Sequence, residues 1–347
     1  MNNRSDKNFE AGYKSSLNLT LPDDVFKFFL KKRVLVTGGT GMIGRQVIKL
    51  LQTANCEITC VSLDDLSWND GVKYIKADIT NSQKCNEITK NHQIVLHIAG
   101  IKGSVNVTKA MPARFYVPLV LMNTNMLEAS VKNGVENFLY TSSIGAYSPA
   151  EIFVESDNDF SEPPMDMFPG WAKRMAELQI QAYQIENKHT KFSIVRPSNI
   201  YGPGDNFDIE NAMVIPSLIA KIVRNDNPVN IWGDGAAERD FLHSYDAAYG
   251  MLLATARGTN GRALNLGAGF GVSIKTLVET LQEIQPFEAF FDTDKPAGFP
   301  KRIMDLSLST ETYGFTPQID LKSGLRDTFN WFLENSAEYK SKQNYFK

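Results

Sequence analysis

The chain has 347 residues, 43% of them hydrophobic, enough for a large core and for one big domain with a smaller one appended. Its formal charge is -3, from 36 Lys and Arg against 39 Asp and Glu, so no excess positive field exists to gather nucleic acid, and that class of partner is excluded. The three cysteines, Cys56, Cys60 and Cys85, are odd in number and form no CxxC pair, which argues against a disulfide framework and against a metal site.

Taken in chain order, residues 1 to about 20 are rich in Asn, Ser and Lys and read as a loose arm, followed by a short helix over Leu21 to Leu30. No signal-peptide core precedes this helix and no apolar run is long enough to span a bilayer, so a soluble cytoplasmic protein without a membrane partner is expected. From Arg33 short β-branched runs alternate with helical stretches: RVLVTG, the helical MIGRQVIKLLQTA, then EITCVSL, VKYIKAD and QIVLHIAG. VENFLYTSS and FSIVRPS continue the series, with helices expected at Val117 to Asn133 and Gly170 to Asn187. This alternation implies an α/β fold with a doubly wound parallel sheet of the Rossmann kind. After about Asn206 the pattern loosens into VIPSLI, NPVNIWGDG and LNLGAGFGVS and ends in an amphipathic helix at Leu325 to Asn335. The expected division is an arm and helix over 1–30, a dinucleotide-binding domain over 31–205 and, over 206–340, a smaller substrate lobe interwoven with it.

Thr37-Gly38-Gly39-Thr40-Gly41-Met42-Ile43-Gly44 places glycines in a GxxGxxG arrangement between a strand and a helix. Gly38 permits the tight turn, Gly41 lets the backbone approach a pyrophosphate, and Gly44 lets helix and strand pack closely. The diphosphate then rests on the helix N-terminus beside Met42 and Ile43, where free N–H groups and the dipole favour an anion. The next strand ends in Asp64, twenty residues beyond Gly44. A carboxylate there accepts bonds from the adenosine ribose and repels a 2′-phosphate, which favours NAD over NADP. The alternative is that Asp64 is a turn residue and the glycines merely serve a strand-to-helix turn.

With these residues in place the chain resembles the extended short-chain dehydrogenase/reductases, the family of nucleotide-sugar epimerases, dehydratases and reductases. Asp78-Ile79 resembles the family's adenine-holding pair, His97-Ile98-Ala99-Gly100 its segment after the fourth strand, and Tyr140-Thr141-Ser142-Ser143 the strand end that supplies an active-site serine, here Ser143. VRPSNIYGPGDN, WGDGAAERDFLHSYDAA and KRIMDLSLST resemble its substrate lobe. The resemblance implies Ala99 and Pro197 at the cofactor, Asn199 at a sugar diphosphate, and Arg239 and Arg302 on the diphosphate oxygens. A planar guanidinium suits that task by two parallel charge-assisted bonds, although surface ion pairing is the commoner fate of an arginine. Within the family the pattern is most similar to the GDP-fucose synthases, through GPGDNFDIENAMVIPSLI, which favours a GDP-sugar partner. The resemblance also implies a homodimer built on the two long helices, with Leu121, Leu127, Leu178 and Ile180 as its apolar positions, or else as intramolecular core.

One departure bears on chemistry. The family uses a Tyr-x-x-x-Lys pair, in which the tyrosine exchanges a proton with the reacting hydroxyl and the lysine holds the nicotinamide ribose. GWAKRMAE sets Lys173 at the lysine position, which puts Pro169 in place of the tyrosine. Tyr183 lies well inside the helix, and Tyr147 matches a tyrosine present for other reasons. Asp166 is the nearest carboxylate in sequence, either a proton acceptor or a solvated helix-end charge. The cysteine and histidine of the 3,5-epimerisation correspond to Ile144 and Met213, neither of which shuttles protons. Two expectations remain: an NAD-dependent enzyme transferring hydride at a sugar carbon with Ser143 and Lys173 in its site, or a catalytically impaired sensor that binds NAD and a nucleotide sugar.

Overall fold

A computed structural model describes residues 17–101, 103, 105–157, 160–186 and 188–341. Most of the amino-terminal arm, residues 1–16, and Asn187 at the end of the expected second long helix lie outside the described residues. The first half runs α1 (Asp23–Phe29), β1 (Arg33–Thr37), α2 (Met42–Thr53), β2 (Glu57–Ser62), β3 (Lys73–Lys76), α3 (Ser82–Thr89), β4 (Ile94–His97), α4 (Val105–Ala110), α5 (Pro112–Lys132), β5 (Asn137–Thr141) and β6 (Ile152–Phe153). The second runs α6 (Met167–Glu186), β7 (Lys191–Pro197), β8 (Asn199–Tyr201), α7 (Val214–Val223), β9 (Val229–Trp232), β10 (Glu238–Arg239), β11 (Phe241–His243), α8 (Ser244–Arg257) and β12 (Ala263–Leu266). It closes with β13 (Val272–Ser273), α9 (Ile274–Ile284), β14 (Ala289–Asp292), β15 (Lys301–Met304), α10 (Ser307–Tyr313) and α11 (Leu321–Ser341).

Seven strands form one sheet in the order β12-β7-β5-β4-β1-β2-β3, and every pairing in it is parallel. Covered by helices on both faces, such strands read as near-continuous apolar runs, and β1 buries Val34, Leu35, Val36 and Thr37 in succession. The chain winds outward from β1 through β2 to β3, then crosses to β4 on the other side of β1. The crevice that binds ligands in such sheets therefore opens between the carboxyl ends of β1 and β4. This is the expected Rossmann-like α/β class.

The lobes exchange chain segments. β12 and α8, from the later part of the sequence, complete the Rossmann sheet and pack on α2. β6, from the earlier part, joins the small four-stranded sheet β13-β10-β15-β6. A second core lies beneath that lobe, where Phe207 stacks on Phe332 with centroids 4.1 Å apart and Ile215, Ile219, Leu277 and Leu325 fill around them. Helix α1 docks through Val25 and Phe29, and Asp24 pairs with Arg257 at 2.8 Å.

The long helices begin earlier than the sequence suggests. α5 starts at Pro112, because a proline in the first turn gives up no hydrogen bond, and it continues through Pro118. α6 starts at Met167 for a similar reason, with Pro169 in its first turn. Of the four apolar positions on these helices, Leu127 and Ile180 are core, while Leu121 and Leu178 are exposed along with Val117 and Met175.

Candidate active site

The carboxyl ends of the parallel strands gather the sequence-predicted residues along one edge of the sheet. Gly38 follows β1 with φ +71°, and a Cβ there would stand 2.8 Å from Cα of Ala99, just beyond β4. A Cβ on Gly44 would fall on the carbonyl oxygen of Gly38, so helix α2 is seated directly on the turn. Gly41 caps α2 without a side chain over the first-turn amides, and Met42 and Ile43 pack their side chains back into the core. This leaves the helix start as a cradle of backbone donors suited to a pyrophosphate.

Asp64, beyond β2, accepts a 2.9 Å bond from the Thr40 hydroxyl, which ties the acidic residue to the glycine turn. Asp78 closes its own turn by accepting from the amide and hydroxyl of Thr80 at 2.9 and 2.8 Å, and Ile79 is buried beside it. Pro197 ends β7 against Leu266 of β12. Arg45 locks the same corner: its Nε donates to the Thr40 carbonyl at 2.8 Å, and its guanidinium lies 5.0 Å from the ring of Trp68 and 5.8 Å from that of Trp331 on α11.

Behind the crevice runs a buried polar chain. Thr37 Oγ1 bonds Nδ1 of His97 at 2.8 Å, His97 Nε2 bonds Oδ1 of Asn123 at 3.0 Å, and Asn123 Nδ2 donates to the Tyr140 hydroxyl at 3.0 Å. Because Asn123 Oδ1 can only accept, Nε2 carries the imidazole proton. Burial pushes the His97 pKa down to about 4, partly offset by Asn123, so the ring is neutral at physiological pH.

Helix α6 and Asp166 just before it lay a stripe along the end of β5, at positions spaced four, three and four residues apart. Glu177 accepts from the Ser142 hydroxyl and is gripped by Arg196 through a 2.9 Å bond from Nε and a second from Nη2. Lys173 Nζ donates to the Thr141 carbonyl at 2.6 Å and lies 5.2 Å from the Tyr140 ring. Burial lowers the Lys173 pKa to about 8, with Glu177 opposing that shift. Gly170 packs where a Cβ would strike the Gly145 carbonyl oxygen, and Asp166 places its carboxyl against Cα of Gly145. Ser143 stands at the head of this segment, its Oγ accepting from the Gly145 amide at 3.0 Å.

Pro169 is half-buried on the first turn of α6, where its missing N–H leaves no hydrogen bond broken. Neither Tyr147 nor Tyr183 takes its place. Tyr147 is buried and donates to Oδ1 of Asn265 at 2.7 Å, and Tyr183 stacks on Phe192 farther along the helix. Ile144 is sealed in a small cluster with Tyr147, Phe153 and Met304, and Met213 caps α7.

Across the cleft, Arg239 and Arg302 are direct partners in the parallel pairing of β10 with β15. Among the described residues, Arg239 hydrogen-bonds only carbonyl oxygens, Glu238 at 2.7 Å and Ala297 at 3.5 Å. Arg302 lies 4.5 Å from the Phe299 ring and 3.7 Å from Asp166, and its buried Nε has no hydrogen-bond partner. Burial, then the neighbouring Arg302, pushes the Arg239 pKa down to about 10; burial lowers that of Arg302 as well, opposed by Asp166. Two guanidinium groups side by side, each disfavoured as a cation by burial, are a candidate site for an anion. Asn199 donates from Nδ2 to the Asp240 carbonyl at 3.0 Å and so sits at the base of the same lobe.

The family model for the NAD-dependent epimerase/dehydratase family matches residues 34–267, which spans the glycine turn, the Ser143 segment, α6 and β12. The chain belongs to this family. Among curated proteins it is similar to a putative GDP-L-fucose synthase of Arabidopsis thaliana, 28% identical, with 90% of this chain and 96% of the relative covered. Among solved structures it is similar to the UDP-glucose 4-epimerase of Thermotoga maritima in complex with UDP-glucose, with a TM-score of 0.77, 27% identity and coverage of 88% of this chain and 99% of the other. A GDP-L-fucose synthetase of Naegleria fowleri bound to NADP shares the fold, with a TM-score of 0.76, 23% identity and coverage of 93% and 98%.

As an enzyme of the epimerase/dehydratase family, the protein calls for a nicotinamide cofactor, and the tight turn at Gly38 and Gly41, with no side chain capping the first amides of α2, suits a dinucleotide. Asp64, Asp78, Lys173 and Ser143 lie along the same edge. Asn123, Arg45 and the Glu177–Arg196 pair escaped the sequence reading. The arginine in VRPS and the glutamate four residues beyond Lys173 were the available signals, but only the packing of α6 on β7 shows that they meet.

Proposed function

We propose that the protein is an NAD-dependent nucleotide-sugar oxidoreductase or epimerase that acts by hydride transfer at a sugar carbon, C4 of a GDP-linked sugar. The observation that carries this reading is the Arg239–Arg302 pair, two guanidinium groups of which Arg239 has no carboxylate partner among the described residues and Arg302 is joined through Asp166 to the segment bearing Ser143. A nucleoside diphosphate supplies the charge that the pair lacks, and its sugar then extends toward Ser143. Ser143 hydrogen-bonds the reacting oxygen, Lys173 holds the nicotinamide ribose, Asn199 contacts the sugar diphosphate, and NAD supplies the hydride acceptor. Asp64 supports NAD over NADP, since a carboxylate accepts from ribose hydroxyls and repels a phosphate. Gly38, Gly41, Met42 and Ile43 would hold the pyrophosphate by backbone, and Asp78, Ile79, Ala99 and Pro197 would line the rest of the cofactor's course.

The exposed Val117, Leu121, Met175 and Leu178 on α5 and α6 support a homodimer built on these helices. The three cysteines are free, which suits the reducing cytoplasm. Among the described residues, no helix is long and apolar enough to cross a membrane.

Pro169 favours a second reading, a nucleotide-sugar-binding sensor without turnover. Incubating the protein with NAD and GDP-, UDP- and CDP-sugars, while following NADH absorbance and exchange of the C4 hydrogen, separates the two. Turnover with a GDP-sugar is expected; binding of both ligands without any exchange refutes the enzymatic reading.

A further inference from the structure

We infer that Asp166 takes the proton of the reacting sugar hydroxyl, in the place that Pro169 leaves without a titratable group; this rests on the enzymatic reading above. The inference comes from the α6 stripe. Gly170, Lys173 and Glu177 lie on one face of α6, Asp166 immediately precedes the helix, and each of the four is in contact with the end of β5 or the residues just after it. Asp166 stands three residues before Pro169, just ahead of the helix, with its carboxyl against Gly145, whose amide bonds the Ser143 hydroxyl. Ser143 and Asp166 flank one residue.

The rival groups near this position are engaged. His97 is bonded through both ring nitrogens, Tyr140 accepts from Asn123, Tyr147 donates to Asn265, and Glu177 is held by Arg196 and Ser142. Tyr116 turns its hydroxyl to the Met175 sulfur at 3.2 Å, on the outer face beside Phe168. Asp166 is exposed to solvent, and its ion-pair contact to Arg302 is long at 3.7 Å. An ionised carboxylate is acceptor-only, so it can take a proton without the lysine-assisted ionisation that a tyrosine needs.

The step balances simply. The sugar O–H bond breaks and its proton passes to an Asp166 carboxylate oxygen, while the electron pair of the neighbouring C–H bond leaves as hydride to an oxidised nicotinamide, so the alcohol carbon becomes a carbonyl. The contact to Arg302 adds a second consequence: the carboxylate and the substrate diphosphate compete for one guanidinium. Diphosphate binding draws Arg302 away and leaves Asp166 to the sugar.

The test compares Asp166→Asn, Asp166→Glu and Asp166→Asn combined with Pro169→Tyr, with Tyr116→Phe as a control. Single-turnover hydride transfer is read with saturating NAD and GDP-sugar, and GDP binding is read separately by calorimetry. Asp166→Asn should slow transfer about 10²- to 10⁴-fold, the range for a lost general base. It should also tighten GDP binding several-fold, because the competing carboxylate is gone. Asp166→Glu should keep much of the rate, the added tyrosine should restore part of it, and Tyr116→Phe should leave it unchanged. A folded Asp166→Asn protein that transfers hydride within threefold of the parent, or binds GDP no more tightly, overturns the assignment. If the parent protein binds no GDP at all, the functional reading fails instead.

Discussion

Replacing Arg239 by Met should weaken ligand binding without weakening the fold, a combination that an arginine kept for structure does not produce. Methionine preserves the apolar stem and removes the guanidinium. On the binding side, a hydrogen bond to a charged group contributes about 1.5–3 kcal/mol, so GDP affinity should fall about 10- to 150-fold while Arg302 retains the remainder. On the folding side, the Arg239 pKa, lowered from 12.5 to about 10 by burial and then by Arg302, records a guanidinium disfavoured in the folded state. Taken at face value that shift amounts to about 3 kcal/mol. Solvent reaches the group and screens it, so about 1 kcal/mol is the better figure. The lost bonds to the Glu238 and Ala297 carbonyls offset this by about 1 kcal/mol. Net stability should therefore change by less than about 1 kcal/mol, read as a melting temperature within a few degrees of the parent. GDP titration calorimetry and thermal denaturation measure both sides. A variant that loses more than about 2 kcal/mol of stability and binds GDP as before would show the pair to be a packing feature.

Three further outcomes follow from the cofactor edge. Gly38→Ala should abolish NAD binding and destabilise the fold by more than about 1 kcal/mol, since φ is +71° and the new Cβ would press on Ala99 backbone; equilibrium dialysis and urea denaturation read the two effects. Asp64→Ala should lower the ratio of NAD to NADP affinity about tenfold, measured by fluorescence titration, and an unchanged ratio would place the ribose elsewhere. His97 should stay neutral down to about pH 4 because burial lowers its pKa from 6.5, and its imidazole resonances should show this directly. Between pH 6.5 and 4 the unfolded chain binds a proton that the folded one refuses. The stability this histidine contributes is thus intact above pH 6.5 and is lost on acidification through that window, by roughly 3 kcal/mol in all.

The first half of this fold was legible because its signals are local. Strands such as RVLVT are buried on both faces and so carry no polar alternation, and the glycines stand where a Cβ would strike Ala99 or the Gly38 carbonyl. Arg239 and Arg302 were named by resemblance, but their adjacency depends on the pairing of β10 with β15, sixty-three residues apart in the chain. Periodicity holds no record of such a register. The start of α6 was misplaced for a local reason: prolines at 163, 164 and 169 suggest a loop, whereas Pro169 occupies a first-turn site that needs no amide. Asn123 is a small polar residue on a helix, and only the four-member chain from Thr37 to Tyr140 gives it a role.

Proline at the position where the family resemblance implies a tyrosine, and the charged groups around it, have different energetic meanings. Proline at 169 costs the helix little, so its presence follows no strain. The charged groups around it are another matter. Lys173 is held with its pKa near 8, Arg239 with its pKa near 10, and Arg302 keeps a buried Nε without a partner. Burial disfavours the charged form of each of the three. A nucleoside diphosphate on the arginines and a ribose beside the lysine would supply the missing partners. On the function proposed above, the buried charge falls where ligand contacts would relieve it, the arrangement expected of a working site.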